Sequence, residues 1–254
     1  MSNICIDINC DLGEAEDPVG QARESRIMPL ISSCNIACGF HAGSPTTMHK
    51  IVRMALENGV SIGAHPGFDD REGFGRRQIP ISDVELEQLI AHQIEALQAV
   101  ATACGAELKH VKLHGALYNQ VSSSYEQALI AVQTVKTINS SLIWYALSGS
   151  ESCRAAQDVG LRVAREAFID RAYLPTGQLM SRSQPGSVLA DHDTMAKRAI
   201  EMARTGQVIA SDGSACNVPS ETLCIHGDQT GADVTIRAVR SAFHAEGITV
   251  APIT

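Results

Sequence analysis

A chain of 254 residues that is 44% hydrophobic and 19% charged can bury the core of one α/β barrel or of two smaller domains, and its length fits the single barrel. Its formal charge of −8, with no run of Lys and Arg, excludes a nucleic-acid surface and favours a small ligand. The start, Met-Ser-Asn-Ile-Cys, has no basic region leading into an apolar stretch, and no window holds the ~18 apolar residues of a membrane span, so the expectation is a cytoplasmic protein.

From Ile4 to Asp11 apolar and polar residues alternate with the period of a strand, which puts Asp7, Asn9 and Asp11 on one face and Ile4, Ile6 and Ile8 on the other. A buried row of carboxylate and amide needs partners, whether cations, donors, a metal or a ligand. Residues 13–21, polar and holding Glu14, read as a loop over a barrel mouth. A second apolar run over 30–40 stops at Gly39, with His41 close behind. Ser44 as N-cap and Pro45 in the first turn open a helix whose Met48, Ile51, Val52, Ala55 and Leu56 share a stripe, and Asn58-Gly59 ends it.

The pattern then repeats. Val60 to Ala64 reads as a strand ending at His65-Pro66-Gly67, followed by a Gly-rich loop in which Arg76 and Arg77 either grip an anion or stand solvated. Ser82 and Glu85 have capping-box spacing and open a helix with Leu86, Leu89, Ile90, Leu97 and Ala101 on one face. Val111 to His114 reads as the next strand, with Lys112 and His114 on one face. A helix near 124–138, a strand near 142–147 and a strand from Leu161 to Glu166 follow, the last leading to Phe168, Asp170, Arg171 and Tyr173. Residues 174–190 are irregular, and a helix over 191–204 ends at Gly206. Strands near 207–211 and 222–226 flank Asp212-Gly213-Ser214; the second ends in His226, and a helix over about 233–246 closes the chain.

Strands alternating with helices predict a parallel sheet of seven or eight strands, and polar residues after nearly every strand favour a TIM-like β/α barrel over an open sheet, one domain across residues 1–254. Of nine His, four (His41, His65, His114 and His226) fall at predicted C-terminal strand ends, where barrel enzymes place their chemistry. His49, His92, His110, His192 and His244 read as surface or capping residues. The eight Cys are scattered, mostly in apolar runs, which predicts small hydrophobes rather than disulfides; Cys34 and Cys38 have a metal-like spacing but no second pair follows.

Three chemistries fit these residues. Asp11, His41 and His65 holding a divalent metal would suit deacetylation or amide hydrolysis. Without a metal, Asp11 or Glu14 would be the general base, with Lys112 and His114 stabilising a developing oxyanion. A barrel that only binds a small metabolite is the third. The sequence has neither a P-loop for a nucleotide nor a G-x-S-x-G elbow, and Cys38 at the end of an apolar run reads as buried rather than nucleophilic.

Asp7-Ile8-Asn9-Cys10-Asp11-Leu12-Gly13-Glu14, the run from Ser33 to Gly43, Gly63-Ala64-His65-Pro66-Gly67, Gly73-Phe74-Gly75-Arg76-Arg77, His114-Gly115-Ala116-Leu117-Tyr118-Asn119, the run from Glu166 to Arg171, the run from Arg182 to Gly186, and His226-Gly227-Asp228 together resemble the LamB/YcsF family over nearly the whole chain. The resemblance implies a barrel of the glycoside hydrolase/deacetylase type. It also implies the part of the A component in an ATP-dependent 5-oxoprolinase, which opens the lactam of 5-oxoproline to L-glutamate as ATP becomes ADP and phosphate, together with subunits B and C. ATP would then sit on a partner, a divalent metal is left open, and so is association of identical chains. On this reading Asp11, Glu14, Lys112 and His114 are catalytic, and Asn9, His41, His65, Arg76, Glu166, Arg171 and His226 bind substrate. The chain departs from the family pattern at Leu113, Phe68-Asp69, Thr176 and Gln229-Thr230.

Overall fold

The computed structural model describes residues 4–254; residues 1–3, part of the start read above for a targeting signal, lie outside them. In chain order the elements are β1 (Cys5–Leu12), α1 (Pro18–Ile27), β2 (Ser33–Ala37), α2 (Pro45–Asn58), β3 (Ser61–His65), α3 (Asp83–Ala103), β4 (His110–Lys112), α4 (Gly115–Ser123), α5 (Tyr125–Ile138), β5 (Ile143–Leu147), α6 (Glu151–Asp158), β6 (Val163–Phe168), α7 (His192–Thr205), β7 (Gln207–Ile209), β8 (Ala215–Asn217), β9 (Thr222–Cys224), α8 (Ala232–Ala245) and β10 (Thr249–Val250). The parallel order β1-β2-β3-β4-β5-β6-β9 closes where β9 pairs with β1, giving a seven-stranded barrel ringed by helices. No helix among the described residues is long and apolar enough to cross a membrane.

The period-two reading of β1 holds. Ile6, Ile8, Cys10 and Leu12 face out into one continuous core beneath the helices, while Asp7, Asn9 and Asp11 are buried with them on the opposite face, inside the barrel. Below the site the interior is plugged by Ile143, Tyr145 and Ala164, against which Ile253 of the C-terminal tail packs. Asp7 sits above this plug and is held by four hydroxyls: Ser32 (2.6 Å) and Ser33 (2.7 Å) donate to Oδ1, and Thr222 (2.6 Å) and Tyr145 (3.0 Å) to Oδ2. Burial still raises the Asp7 pKa above the ordinary carboxylate value, so this acid is a structural anchor.

Helix ends follow the expected chemistry. Ser82 and Glu85 form the reciprocal capping box of α3, and α2 runs from the Ser44 cap to a left-handed Gly59. Four expectations change. Residues 207–211 form no barrel strand: β7 and β8 are an antiparallel hairpin outside the barrel, turned by Asp212-Gly213-Ser214. The loop read over 13–21 gives way at Pro18 to α1, whose Asp17 side chain accepts from the Val19 and Gly20 amides; the helix has little apolar periodicity to announce it. Leu56 is exposed, one position beyond the buried stripe of α2. His114 lies past the end of β4, as the residue preceding α4. All eight Cys are free, and burial pushes the Cys34 and Cys38 thiols up to about 12.

Candidate active site

The C-terminal ends of the strands open into a cleft of about 980 Å³ whose lining includes Asp11, His65, Lys112, His114, Phe168 and His226. Its floor is a connected polar network. Lys112 Nζ lies 2.9 Å from Glu166 Oε1, 3.0 Å from Asp11 Oδ1, 3.1 Å from Asn9 Oδ1 and 3.0 Å from Cys224 Sγ. Asn9 Nδ2 donates to Glu166 Oε1 (2.9 Å), Tyr118 donates to Glu166 Oε2 (2.7 Å), and Asn35 Nδ2 bridges Asn9 Oδ1 and Asp11 Oδ1, each at 2.8 Å. Burial opposes the charge on Lys112, but Asp11 and Glu166 outweigh it and hold the ammonium well above its ordinary pKa. The same balance, with His65 and Lys112 overcoming burial, keeps Asp11 well below the usual carboxylate range. Asp11 is therefore ionised and a weak base, and its Oδ2 lies 3.4 Å from His65 Nε2.

On one side of Asp11 stand three imidazoles and Glu14. His41 Nε2 lies 3.1 Å from Glu14 Oε1, and His114 Nδ1 lies 3.2 Å from the same oxygen. Burial opposes ionisation of Glu14, but His114 and His41 hold its pKa below the ordinary range. Burial, reinforced by His114, pushes His41 down to about 4, so its ring is neutral near pH 7. On the other side of Asp11 is a His–Asp pair: His226 Nδ1 donates to Asp170 Oδ2 at 2.7 Å, and Asp170 stays ionised against burial because of that contact. Gln229, one of the departures from the family pattern, donates to the same oxygen at 2.6 Å. His226, Cys224 and Asp11 each offer a ligand-type atom within 4.8 Å of the others.

Nine of the residues singled out from the sequence thus converge: Asn9, Asp11, Glu14, His41, His65, Lys112, His114, Glu166 and His226. Arg76 stands at the rim, 2.5 Å from Asp228, and the Arg171 guanidinium is bound to the Ser187 and Met180 carbonyls. Arg77 is turned away onto Asp70. The trio Asp11, His41 and His65 does not form a metal set, because His41 meets Glu14 instead; the two groups of metal-ligand type among the described residues are Glu14, His41, His65, His114 and Asp11, Cys224, His226.

His110 corrects the reading as a surface residue: it is buried, and its Nε2 donates to Asn35 Oδ1 at 2.8 Å. Its signal was its place two residues before Lys112, hence on the same inward face. The fit is close, since a Cβ on Gly63 would stand 2.1 Å from His110 Nε2. Asp170, Tyr118 and Cys224 carry no role in the sequence reading, although Asp170 lies in the run from Glu166 to Arg171 that bears the family resemblance.

A closed parallel barrel with ionised carboxylates, a buried ammonium and several imidazoles at its C-terminal mouth defines a barrel enzyme equipped for hydrolysis. Residues 6–254 match the LamB/YcsF family, and the chain belongs to that family. It is 46% identical over 248 residues to the A component of the 5-oxoprolinase of Rhodopseudomonas palustris, covering 97% of this chain and 98% of that one. It is 44% identical over 245 residues to that of Heliobacterium modesticaldum, with 96% of each covered. The crystal structure of the lactam utilization protein from Thermus thermophilus superposes with a TM-score of 0.90 at 42% identity, over 98% of this chain and 99% of that one. The family 4 carbohydrate esterase from Streptomyces lividans shares the fold, with a TM-score of 0.52 at 11% identity over 99% and 94% of the two chains. The chain is thus a hydrolase of the cyclic-amide type.

Proposed function

We propose that this chain is the A component of an ATP-dependent 5-oxoprolinase and that the cleft above Asp11 is where the lactam opens. The observation that carries the roles is the convergence on one cleft of ionised Asp11 and of His226, whose Nδ1 is committed to Asp170. The names of its full-length relatives supply the substrate class.

An unstrained lactam is a poor electrophile. Transfer of the ATP γ-phosphoryl group to its amide oxygen forms an O–P bond and makes the ring carbon open to water; that nucleotide step is assigned to subunits B and C. Water then adds to the carbon, the C–N bond breaks and the nitrogen takes a proton, leaving an acyl phosphate that a second water cleaves to phosphate. Overall two waters are consumed, one for the lactam and one for ATP.

Asp11 is too weak a base to take the first water's proton, so its role is to orient that water through Oδ2. His226 takes the proton at Nε2, with Asp170 fixing the tautomer and stabilising the imidazolium that forms. Lys112 is a positioning residue that keeps Asp11 ionised and still. Arg76 and Arg171, both on the lining of the cleft, are assigned to the substrate carboxylate.

The test is Asp11→Asn assembled with the two partners. The expected result is a loss of about 10²–10⁴ in kcat in a variant whose circular dichroism shows it still folded. Retained turnover would overturn the role of Asp11, and lactam binding without turnover in wild type would point to a metabolite-binding barrel.

A further inference from the structure

The hydrogen bonds of two rings in the cleft fix where their protons are. His65 Nδ1 lies 2.8 Å from the backbone carbonyl of Lys112, and His114 Nε2 lies 2.8 Å from that of Phe74. A carbonyl oxygen only accepts, so each ring carries its hydrogen on that nitrogen. The remaining nitrogens, His65 Nε2 and His114 Nδ1, then present lone pairs to each other at 3.0 Å. Glu14 Oε1 joins them at 3.2 Å from His114 Nδ1 and 3.8 Å from His65 Nε2. Three acceptors therefore converge on one point, with Asp11 Oδ2 beside them at 3.4 Å from His65 Nε2, and something positive has to stand there.

A proton on one ring satisfies one pair and leaves the third acceptor out, whereas a metal ion meets all three. The separations of 3.0, 3.2 and 3.8 Å bracket the edge of about 3.3 Å expected between ligands of a tetrahedral ion with bonds of about 2.0–2.1 Å. The His65 and His114 rings stand at 86° with centroids 4.9 Å apart, so their planes cross in a line, and an ion on it lies in the plane of both rings. His41 is different. Its ring is parallel to that of His114 (2°) at 3.8 Å, which puts an ion in the His114 plane well off its own. His41 Nε2 instead holds the Glu14 carboxylate, and its Nδ1 is buried without a partner, as expected for the tautomer with hydrogen on Nε2.

We propose that Glu14, His65 and His114 bind one divalent transition-metal ion, with the fourth position facing the cleft and His41 as the outer partner of the carboxylate. Two imidazole nitrogens and one carboxylate oxygen favour Zn²⁺ over Mg²⁺ or Ca²⁺, which take oxygen donors. An ion there would supply a Lewis acid to a substrate oxygen in the same cleft. The binding itself does not rest on the lactam reading; only that use of the ion does.

The experiment is equilibrium dialysis of the chelator-stripped full chain against Zn²⁺, and separately against Co²⁺, with metal content measured and the visible d–d absorption of the Co²⁺ form recorded. The expected result is one ion per chain and a Co²⁺ spectrum of low coordination number. His114→Gln and Glu14→Gln should weaken binding by about a hundredfold or more and His41→Gln by about 10–100-fold, each with unchanged circular dichroism in the metal-free state. Failure of the wild-type chain to retain an ion, with a ¹⁵N spectrum showing one of the two rings doubly protonated at neutral pH, would overturn the proposal in favour of a shared proton. Wild-type affinity in His114→Gln would overturn the ligand set. A chain that binds the ion but does not support lactam opening would uphold this proposal and overturn the function above; a chain that supports full turnover and retains no ion would do the reverse.

Discussion

Glu166 Oε1 and Lys112 Nζ meet at 2.9 Å at the floor of the cleft, where neither side chain reaches solvent. Lys112 also answers Asp11 and Asn9, so one ammonium neutralises the deepest charges of the site. Removing it leaves Asp11 and Glu166 buried and unpaired. Lys112→Met is expected to cost about 3–5 kcal/mol in denaturant unfolding, and adding Glu166→Gln to recover part of that loss because one orphaned charge goes with it. A double mutant no more stable than Lys112→Met would show that the two groups do not act as a pair.

The His226–Asp170 contact makes a separate prediction. In Asp170→Asn the amide can donate to Nδ1 and favour the wrong tautomer, so kcat of the assembled enzyme should fall by roughly 10²–10⁴ while KM for the lactam stays close to wild type. A change confined to KM would place His226 in substrate binding alone.

Acid stability follows from three buried groups. Burial pushes His110 down to about 3 and, with His114, His41 down to about 4, from an ordinary 6.5. Between those values and 6.5 the folded chain binds fewer protons than the unfolded one, so stability contributed by the neutral rings is complete above pH 6.5 and is lost as the pH falls toward 4 and 3. Glu24 has the opposite sign: burial raises it from 4.5 to about 6, so the folded chain binds more protons in that window and stability falls as the pH rises through it. Above pH 6 the ionised, buried Glu24 costs about 2 kcal/mol at about 1.4 kcal/mol per pKa unit. Glu24→Gln should therefore be more stable than wild type at pH 7.5 by up to that amount, and its stability should drop more steeply between pH 6 and 4.5. Urea unfolding at several pH values with a chelator present measures both; equal stability at pH 7.5 would contradict the assignment.

Gly63 and His110 give a packing test. A methyl group on Gly63 would lie 2.1 Å from His110 Nε2, so Gly63→Ala should cost about 1–3 kcal/mol through overpacking and should disturb the Asn35 contact below Asp11. His110→Ala makes room for that methyl group, so in its background Gly63→Ala should be nearly neutral. An undiminished cost there would mean that the strain comes from elsewhere.

Much of this was legible in the chain because a strand has a period of two. The alternation over 4–11 put Asp7, Asn9 and Asp11 on one face, and the placing of His41, His65, His114 and His226 after short apolar runs brought them to one barrel end. What escaped was what periodicity does not encode. His110 looked like an element start because β4 is only three residues long, and the parity it shares with Lys112 was its one local clue. The β7–β8 hairpin looked like a barrel strand because an apolar triplet does not say which partner it pairs with. The division of the polar residues into Lys112 with Asp11, Asp170 with His226, and Glu14 with His41 and His114 depends on which strands close the barrel, which only the three-dimensional register supplies.

On this account the lactam opens in this barrel when its partners are present. The most direct measurement is glutamate release from 5-oxoproline and ATP by this chain alone, by subunits B and C alone, and by the three together. Glutamate formed only by the three, with equimolar phosphate, and lost with Asp11→Asn, is the predicted result. Release at the full rate by B and C without this chain, or no release by the three together under conditions where a relative's complex is active, would contradict it.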